Sequence, residues 1–404
     1  MGEINIVMNM DMIITNGKII RNNEILRGQS IIIENGIIRR IGRITNNSSC
    51  NNIYDAGGNY VCPGMVDIHT HGANGNDYMD ASVPAFNNIL SYQAKNGVTS
   101  SIASTVSDTE QNLLKVINVA REYRNSFHNG AKLLGLHLEG PFLSQENRGA
   151  HNEKNLKIPK PENYGFMLEN SDILKMVTIS PELENAANFT KDAVNRGIVV
   201  ALGHDDAASY EIEPVIEAGA SHLTHIYCAM SGVGFRNGKR YAGLREYGLV
   251  CDKVTCEVIA DMRHLPVELI KLIYRAKGAD MMCCVSDSVR ITGLPEDGTI
   301  HTLGANDESS PKIIAKDGVA LLADGSKYAG SITTLNGMLK NLVFLCGIPL
   351  VDAVNMVTLI PARIINEDTF IGSVDIGKHA DFCILNDNLD IVDTIINGKL
   401  YDRR

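Results

Sequence analysis

The chain has 404 residues, a formal net charge of -10 and 44% hydrophobic residues, the composition of an ordinary packed globule too long for one small domain. With 37 Lys+Arg against 47 Asp+Glu there is no global positive field to attract nucleic acid. No run of about 18 apolar residues occurs, which removes a helical membrane span.

Met1 to Asn16 carries acidic residues and no basic n-region, so it is not expected to act as a signal peptide. Ile6 stands where a myristoylation signal needs Ser or Thr. The nine cysteines form no C-x-x-C pair, and Cys62, Cys251, Cys256, Cys283 and Cys284 sit in apolar, strand-like runs. Reduced core thiols in a cytoplasmic protein are the expectation.

Met12 to Ile20 reads as strand, Asn16-Gly17 turn, strand, and Ser30 to Ile41 repeats the pattern around Asn35-Gly36. At the other end, Asp381–Leu385 and Ile391–Ile396 are strands, followed by Asn397-Gly398. All-strand segments at both ends predict one small β-sandwich built from 1–60 and 364–404. Between them, 61–363 alternates apolar strand-like runs with helical stretches. The runs are Val61–Ile68, Val98–Ala103, Leu133–Leu138, Met176–Ile179, Ile198–Leu202, Ser221–Thr224, Thr255–Ile259 and Met281–Val285. Eight such units predict an α/β fold, a (β/α)8 TIM-type barrel. An open doubly wound sheet would want a glycine-rich phosphate loop after its first strand, and neither common form of that loop is present.

His69, His71, His137, His204, His222, His225, Glu139 and Asp287 fall at or near the C-terminal ends of these strands, the end that carries the active site in a barrel. The strand period of two lets His69 and His71 both point inward, and puts His137 and Glu139 on one face. His222 and His225 are three apart, so a regular strand offers only one of them; His222 is assigned a structural role. His137 stands open between a site role and a structural one, Glu139 being the better ligand for a hard metal. Imidazole and carboxylate converging from separate strands make a divalent metal site.

Val66-Asp67-Ile68-His69-Thr70-His71-Gly72 resembles the first-strand motif of the amidohydrolase superfamily. Leu136-His137-Leu138-Glu139-Gly140-Pro141-Phe142 is more specific and resembles the N-acetylglucosamine-6-phosphate deacetylases. Arg148–Asn152, Leu202-Gly203-His204, Thr224–Tyr227, Ile259-Ala260-Asp261, Val285-Ser286-Asp287, Ala329-Gly330-Ser331 and Gly377–Asp381 follow in that family's order. The likeness runs from about residue 12 to residue 400. It implies a metal barrel flanked by a small β-sandwich.

The resemblance makes Glu139, His204 and His225 ligands of a first divalent metal. His69 and His71 would hold a second, with Glu139 bridging. One or two ions per subunit follow, zinc suiting the nitrogen-rich set and iron, cobalt or manganese being alternatives. It makes Asp287 the general base that takes a proton from the attacking water and returns it to the leaving amine. His151, Ala229, His264 and Ser331 match substrate-binding positions. The substrate implied is an amino-sugar phosphate and the assembly a homodimer.

Three departures touch the substrate contacts. Cys228-Ala229-Met230 stands where the family has Asn-Ala-Met, and the family's Arg-Glu-Pro-Gly phosphate motif is missing. Arg240 fits the spacing to His264 and Arg245 fits the residue types; Arg240 is preferred. Gly232 to Lys239 reads as an insertion carrying Arg236. The readings kept open are deacetylation of N-acetylglucosamine 6-phosphate, action on another N-acyl substrate, and a catalytically silent barrel.

Overall fold

The computed structural model describes residues 10–402, apart from Asn22, 44–51, Phe127 and Asn237. Most of the segment bearing on a signal peptide, and Cys50, lie outside those residues; the other eight cysteines are free thiols. No helix among the described residues is long and apolar enough to cross a membrane.

Eight strands in one parallel sheet carry the molecule: β1 (Met65–Asp67), β2 (Val98–Thr105), β3 (Lys132–Glu139), β4 (Leu174–Ile179), β5 (Val199–Leu202), β6 (His222–Leu223), β7 (Thr255–Val258) and β8 (Met282–Cys284). Each pairs with its neighbour in sequence. The sheet curls until its ends meet: Thr70 pairs with Ser288 in parallel, and the Asp287 N–H donates to the His69 carbonyl at 2.9 Å. β2 is buried along its whole length, as a parallel strand covered on both faces must be.

The helix Val83–Lys95 shows how that sheet is covered, by a mainly apolar stripe. In Val83–Lys95 the buried residues Phe86, Ile89, Leu90 and Gln93 recur at helical spacing, and Ser82 caps the start by accepting from the Ala85 N–H.

The predicted strand Val61–Ile68 is two strands. Tyr60–Pro63 joins a six-stranded sheet with the C-terminal Phe382–Leu385, and Met65–Asp67 enters the barrel. Gly64 is the break, and a Cβ there would lie 2.1 Å from Thr99 Oγ1, so the chain can change sheets at this point only through glycine.

The six-stranded sheet faces a four-stranded one of Ile37–Gly42, Ser30–Glu34, Met10–Thr15 and Ile53–Asp55. Ile31 and Ile33 alternate inward with Val61, Phe382 and Ile384 to fill the space between. Asn35-Gly36 and Asn397-Gly398 make tight hairpins, with positive φ at both residues of each. Asn16-Gly17 does not: Asn16 alone has positive φ, and Met10–Thr15 and Lys18–Arg21 lie in different sheets. A two-residue hairpin of the favoured type needs both, so here the same dipeptide hands the chain from one sheet to the other.

Candidate metal and active site

The site is assembled at the rim where the barrel strands stop. Glu139 is the last residue of β3, His69 and His71 follow β1, His204 and His225 each sit two residues past β5 and β6, and Asp287 three past β8. His204, His225 and Asp287 have φ of 50°, 25° and 44°, a left-handed backbone that non-glycine residues seldom hold. The turn aims each side chain across the mouth of the barrel rather than along its strand, and such strain gathers at functional sites.

The Glu139 carboxylate is the hub. Its Oε1 lies 2.9 Å from His225 Nε2, 3.1 Å from His204 Nε2 and 3.5 Å from His69 Nε2. Its Oε2 lies 3.2 Å from His151 Nε2 and 3.3 Å from His71 Nε2. Asp287 Oδ1 faces them, 3.3 Å from His71 Nε2 and 3.7 Å from His69 Nε2. Burial pushes the Glu139 carboxyl up, but the surrounding imidazoles, His69 foremost, hold it well below the usual carboxylate range. Burial likewise opposes charge on His71, yet Asp287 and Glu139 raise it to about 9. The carboxylates therefore demand positive charge at this point, whether protons or a metal cation supply it.

The nitrogens favour a cation. His204 donates its Nδ1–H to the Asn147 carbonyl at 3.0 Å, and His69 turns Nδ1 to Glu257 at 2.6 Å, so in their neutral forms both present a bare Nε2 lone pair inward. His204 Nε2 and His225 Nε2 are 3.2 Å apart, as are His69 Nε2 and His71 Nε2. Two nitrogens bound ~2.05 Å from a tetrahedral zinc stand about 3.3 Å apart, so the spacing is that of metal ligands. Among the described residues the buried groups that could hold an ion are His69, Glu139 and His225; His69, His71 and Asp287; Glu139, His151 and His204; and, deeper in the barrel, His222, Glu257 and Cys283. The composition and spacing are those of a divalent metal site.

His151 differs. Its Nδ1 accepts the Ser107 backbone N–H at 3.0 Å, so its proton sits on Nε2. Burial lowers its pKa to about 4, against the pull of Glu139. At neutral pH it is an uncharged donor aimed into the site. His137 lies one layer lower, its ring nitrogens 3.0 Å from Ser104 Oγ and 2.7 Å from Thr178 Oγ1, both positions taken by hydroxyls. That is a structural position. His222 is also interior, bonded to Thr255 Oγ1 at 2.7 Å and Glu257 Oε2 at 3.3 Å.

Glu257 was given no part by the sequence. Fully buried on β7, it receives His69 Nδ1, the His225 backbone N–H at 2.9 Å and His222, and so orients two members of the cluster. The available signal was one acid within the apolar run Thr255–Ala260, since a buried charge requires partners. Glu257→Gln is expected to lower metal affinity about 10- to 100-fold with the fold intact, as loss of a ligand-orienting partner does. Metal analysis after dialysis against graded chelator checks this; unchanged affinity would leave Glu257 a packing residue.

Above the cluster lies a cavity of ≈ 400 Å³. Cys228, Ala229 and His264 line it with the cluster residues. His264 is anchored by Nδ1 to Asp261 at 2.8 Å, and its ring lies 4.9 Å from that of Tyr328. Ser331 is not on the wall: it is fully buried, its N–H donating to the Asp287 carbonyl at 2.8 Å.

The three arginines also stand off the cavity wall. The insertion is a hairpin of Gly234–Arg236 and Lys239–Tyr241, its turn residue Asn237 being outside the described residues. Arg236 is tied to Asp206 at 2.9 Å and Glu211 at 3.1 Å, and Arg240 is exposed on the opposite strand. Arg245, in the helix Leu244–Val250, lies 5.9 Å over the Tyr227 ring with its Nε buried and unpartnered.

Comparison with known proteins follows the geometry. The sequence pattern described as "Amidohydrolase family" matches residues 60–401. The N-acetylglucosamine-6-phosphate deacetylase of Haemophilus influenzae is 32% identical over 347 residues, 85% of this chain and 87% of that protein. The crystal structure of the enzyme of the same name from Pasteurella multocida superimposes with a TM-score of 0.87 at 26% identity, covering 96% of this chain and 99% of that one. A variant of the Mycobacterium smegmatis deacetylase, solved in complex with N-acetyl-D-glucosamine-6-phosphate, gives the same values.

Proposed function

Since the chain belongs to the amidohydrolase family and, within it, to the N-acetylglucosamine-6-phosphate deacetylases, we propose that it hydrolyses the acetamide of N-acetylglucosamine 6-phosphate to acetate and glucosamine 6-phosphate. The observation that carries this reading is the Glu139 hub, with His204 and His225 converging on one of its oxygens and Asp287 facing the cluster.

Glu139, His204 and His225 would hold one divalent cation, and His69 and His71 a second with Glu139 between them. Zinc suits that donor set, with iron, cobalt or manganese as alternatives. Such a cation supplies Lewis acidity to the acetyl carbonyl and brings the pKa of a water from about 15.7 towards 7. Asp287 takes the proton of the attacking water and delivers it to the amine nitrogen as the C–N bond breaks. His151, neutral with its proton on Nε2, donates to the carbonyl oxygen as charge develops there. His264, Ala229 and Cys228 border the sugar, and Ser331 positions Asp287 through its backbone.

We further propose a homodimer in which a residue of one subunit reaches its neighbour's site. Arg240 or Arg245 would touch phosphate by that route, with Arg236 stapling the hairpin. Light scattering of a fully active 44.0 kDa species would remove the dimer.

The test of function is acetate release by the zinc-loaded protein from four compounds. They are N-acetylglucosamine 6-phosphate, its galacto epimer, unphosphorylated N-acetylglucosamine and an N-acetyl-D-amino acid. Preference for the first is expected. Faster turnover of the amino acid, or none of any with metal bound, would overturn the reading.

A further inference from the structure

A cavity of ≈ 20 Å³ lies at the seam where the barrel closes, between the end of β1, the residues after β8 and the helix Val83–Lys95. Asp67, Gln93, Ser286, Ser288 and Thr334 line it, and among the described residues no lysine, arginine or histidine stands on its wall. It shares no residue with the reaction cavity.

Two of the lining groups lack the partners that burial demands. Asp67 is 1% exposed, and no lysine or arginine among the described residues pairs with it. Its backbone bonds are long, from the His69 N–H at 3.4 Å and the Ser286 N–H at 3.2 Å, and both fall on Oδ1. The imidazole whose charge reaches it, His69, already faces Glu257 and Glu139. A carboxylate taken out of water needs a counter-charge.

Gln93 is 5% exposed, and its Oε1 has no hydrogen-bond partner among the described residues. The network beside it fixes which amide atom that is. Ser288 Oγ donates to the Gly72 carbonyl at 2.9 Å, so its bond to Thr70 Oγ1 at 2.7 Å uses the Thr70 hydrogen. Thr70 can then only accept, which assigns the Gln93 contact at 3.3 Å to Nε2 and leaves the oxygen over.

A carboxylate without a counter-charge and an amide oxygen without a donor thus share one small wall. The hydroxyls of Ser286, Ser288 and Thr334 lie beside them, and such an oxygen-rich set binds hard cations. One negative charge among neutral oxygens balances a single positive charge, whereas a divalent ion would leave net charge buried. The volume admits one occupant of about the size of a water. Tyr92 and Asn96 border the cavity and are partly exposed, which gives an ion a way in.

We propose that this cavity binds one monovalent alkali cation, sodium or potassium, between the Asp67 carboxylate and the Gln93 amide oxygen. The ion ties the first barrel strand to the last, since Asp67 precedes His69 by two residues and Ser286 and Ser288 flank Asp287. It stiffens the seam from which His69, His71 and Asp287 rise, without touching substrate.

The experiment follows thermal unfolding of the zinc-loaded protein, first stripped of alkali cations in tetramethylammonium chloride, whose cation is too large for the cavity. Sodium or potassium then replaces that cation at constant ionic strength. A saturable rise in Tm of about 2 °C or more is expected with one of the two. Gln93→Leu should raise the half-saturating concentration about tenfold, the worth of one lost contact to an ion. Asp67→Asn should abolish the response; if that variant does not fold, Gln93→Leu decides. Crystals soaked in rubidium should show an anomalous peak bounded by Asp67 and Gln93. Equal stability in all three salts, with only a water at that place, overturns the proposal, as does a response unchanged in Gln93→Leu. Neither readout depends on which amide the protein hydrolyses, so this result stands apart from the deacetylase reading.

Discussion

Asp287→Asn is expected to retain its metal and its sugar phosphate and to lose turnover by about 10²- to 10⁴-fold, the usual worth of a positioned acid–base group. The amide is close to isosteric, so the left-handed turn, the bond from Asp287 N–H to the His69 carbonyl and the bond from Ser331 survive. What disappears is the proton-accepting oxygen 3.3 Å from His71 Nε2. Burial would raise this carboxyl, but His71 and the neighbouring imidazoles hold it below its ordinary value, so it is ionised, as the proposed base must be to accept a proton. Metal analysis and calorimetric binding of substrate separate this outcome from misfolding. Turnover near the wild-type rate would dismiss Asp287 as the base.

Glu139→Gln should lose metal and activity together. The substitution keeps the shape but replaces a carboxylate within 3.5 Å of five imidazoles by a neutral amide. Every ligand set that includes Glu139 then lacks its anion, and the amide NH₂ competes with a cation for the same lone pairs. The loss of affinity should exceed the about 10- to 100-fold expected at Glu257, which acts through His69 and His225 rather than on the ion. The paired measurement is metal content and acetate release at increasing zinc. Normal metal content in this variant would show that Glu139 is not a ligand; metal restored by high zinc without activity would give it a further part in the reaction.

Much of this architecture was readable along the chain. The eight strand runs and the histidines and acids at their ends follow from short-range pattern, because apolar runs and strand-end positions are properties of a few consecutive residues. The turn dipeptides were readable only in part. Asn35-Gly36, Asn397-Gly398 and Asn16-Gly17 are identical in sequence, yet the third joins two sheets. Lys18–Arg21 pairs with the following strand Glu24–Leu26 on one side and with Tyr60–Pro63, some forty residues away, on the other, so both of its edges are taken and Met10–Thr15 pairs in the other sheet. The split at Gly64 has the same origin, since the strand before it pairs with the C-terminal end of the chain.

The candidate ligands were therefore legible from residue type and position, whereas their supporting cast was not. Glu257 shows only as an isolated acid until folding brings β7 beside His69, 188 residues earlier. The cations of the hairpin had the same fate: local charge density drew attention to Arg236–Arg240, while the fold spends Arg236 on Asp206 and Glu211. Ligand identity is chemistry carried by single residues and survives in one dimension. Which charge is satisfied, and by whom, depends on distances between remote segments, and those exist only once the barrel has closed.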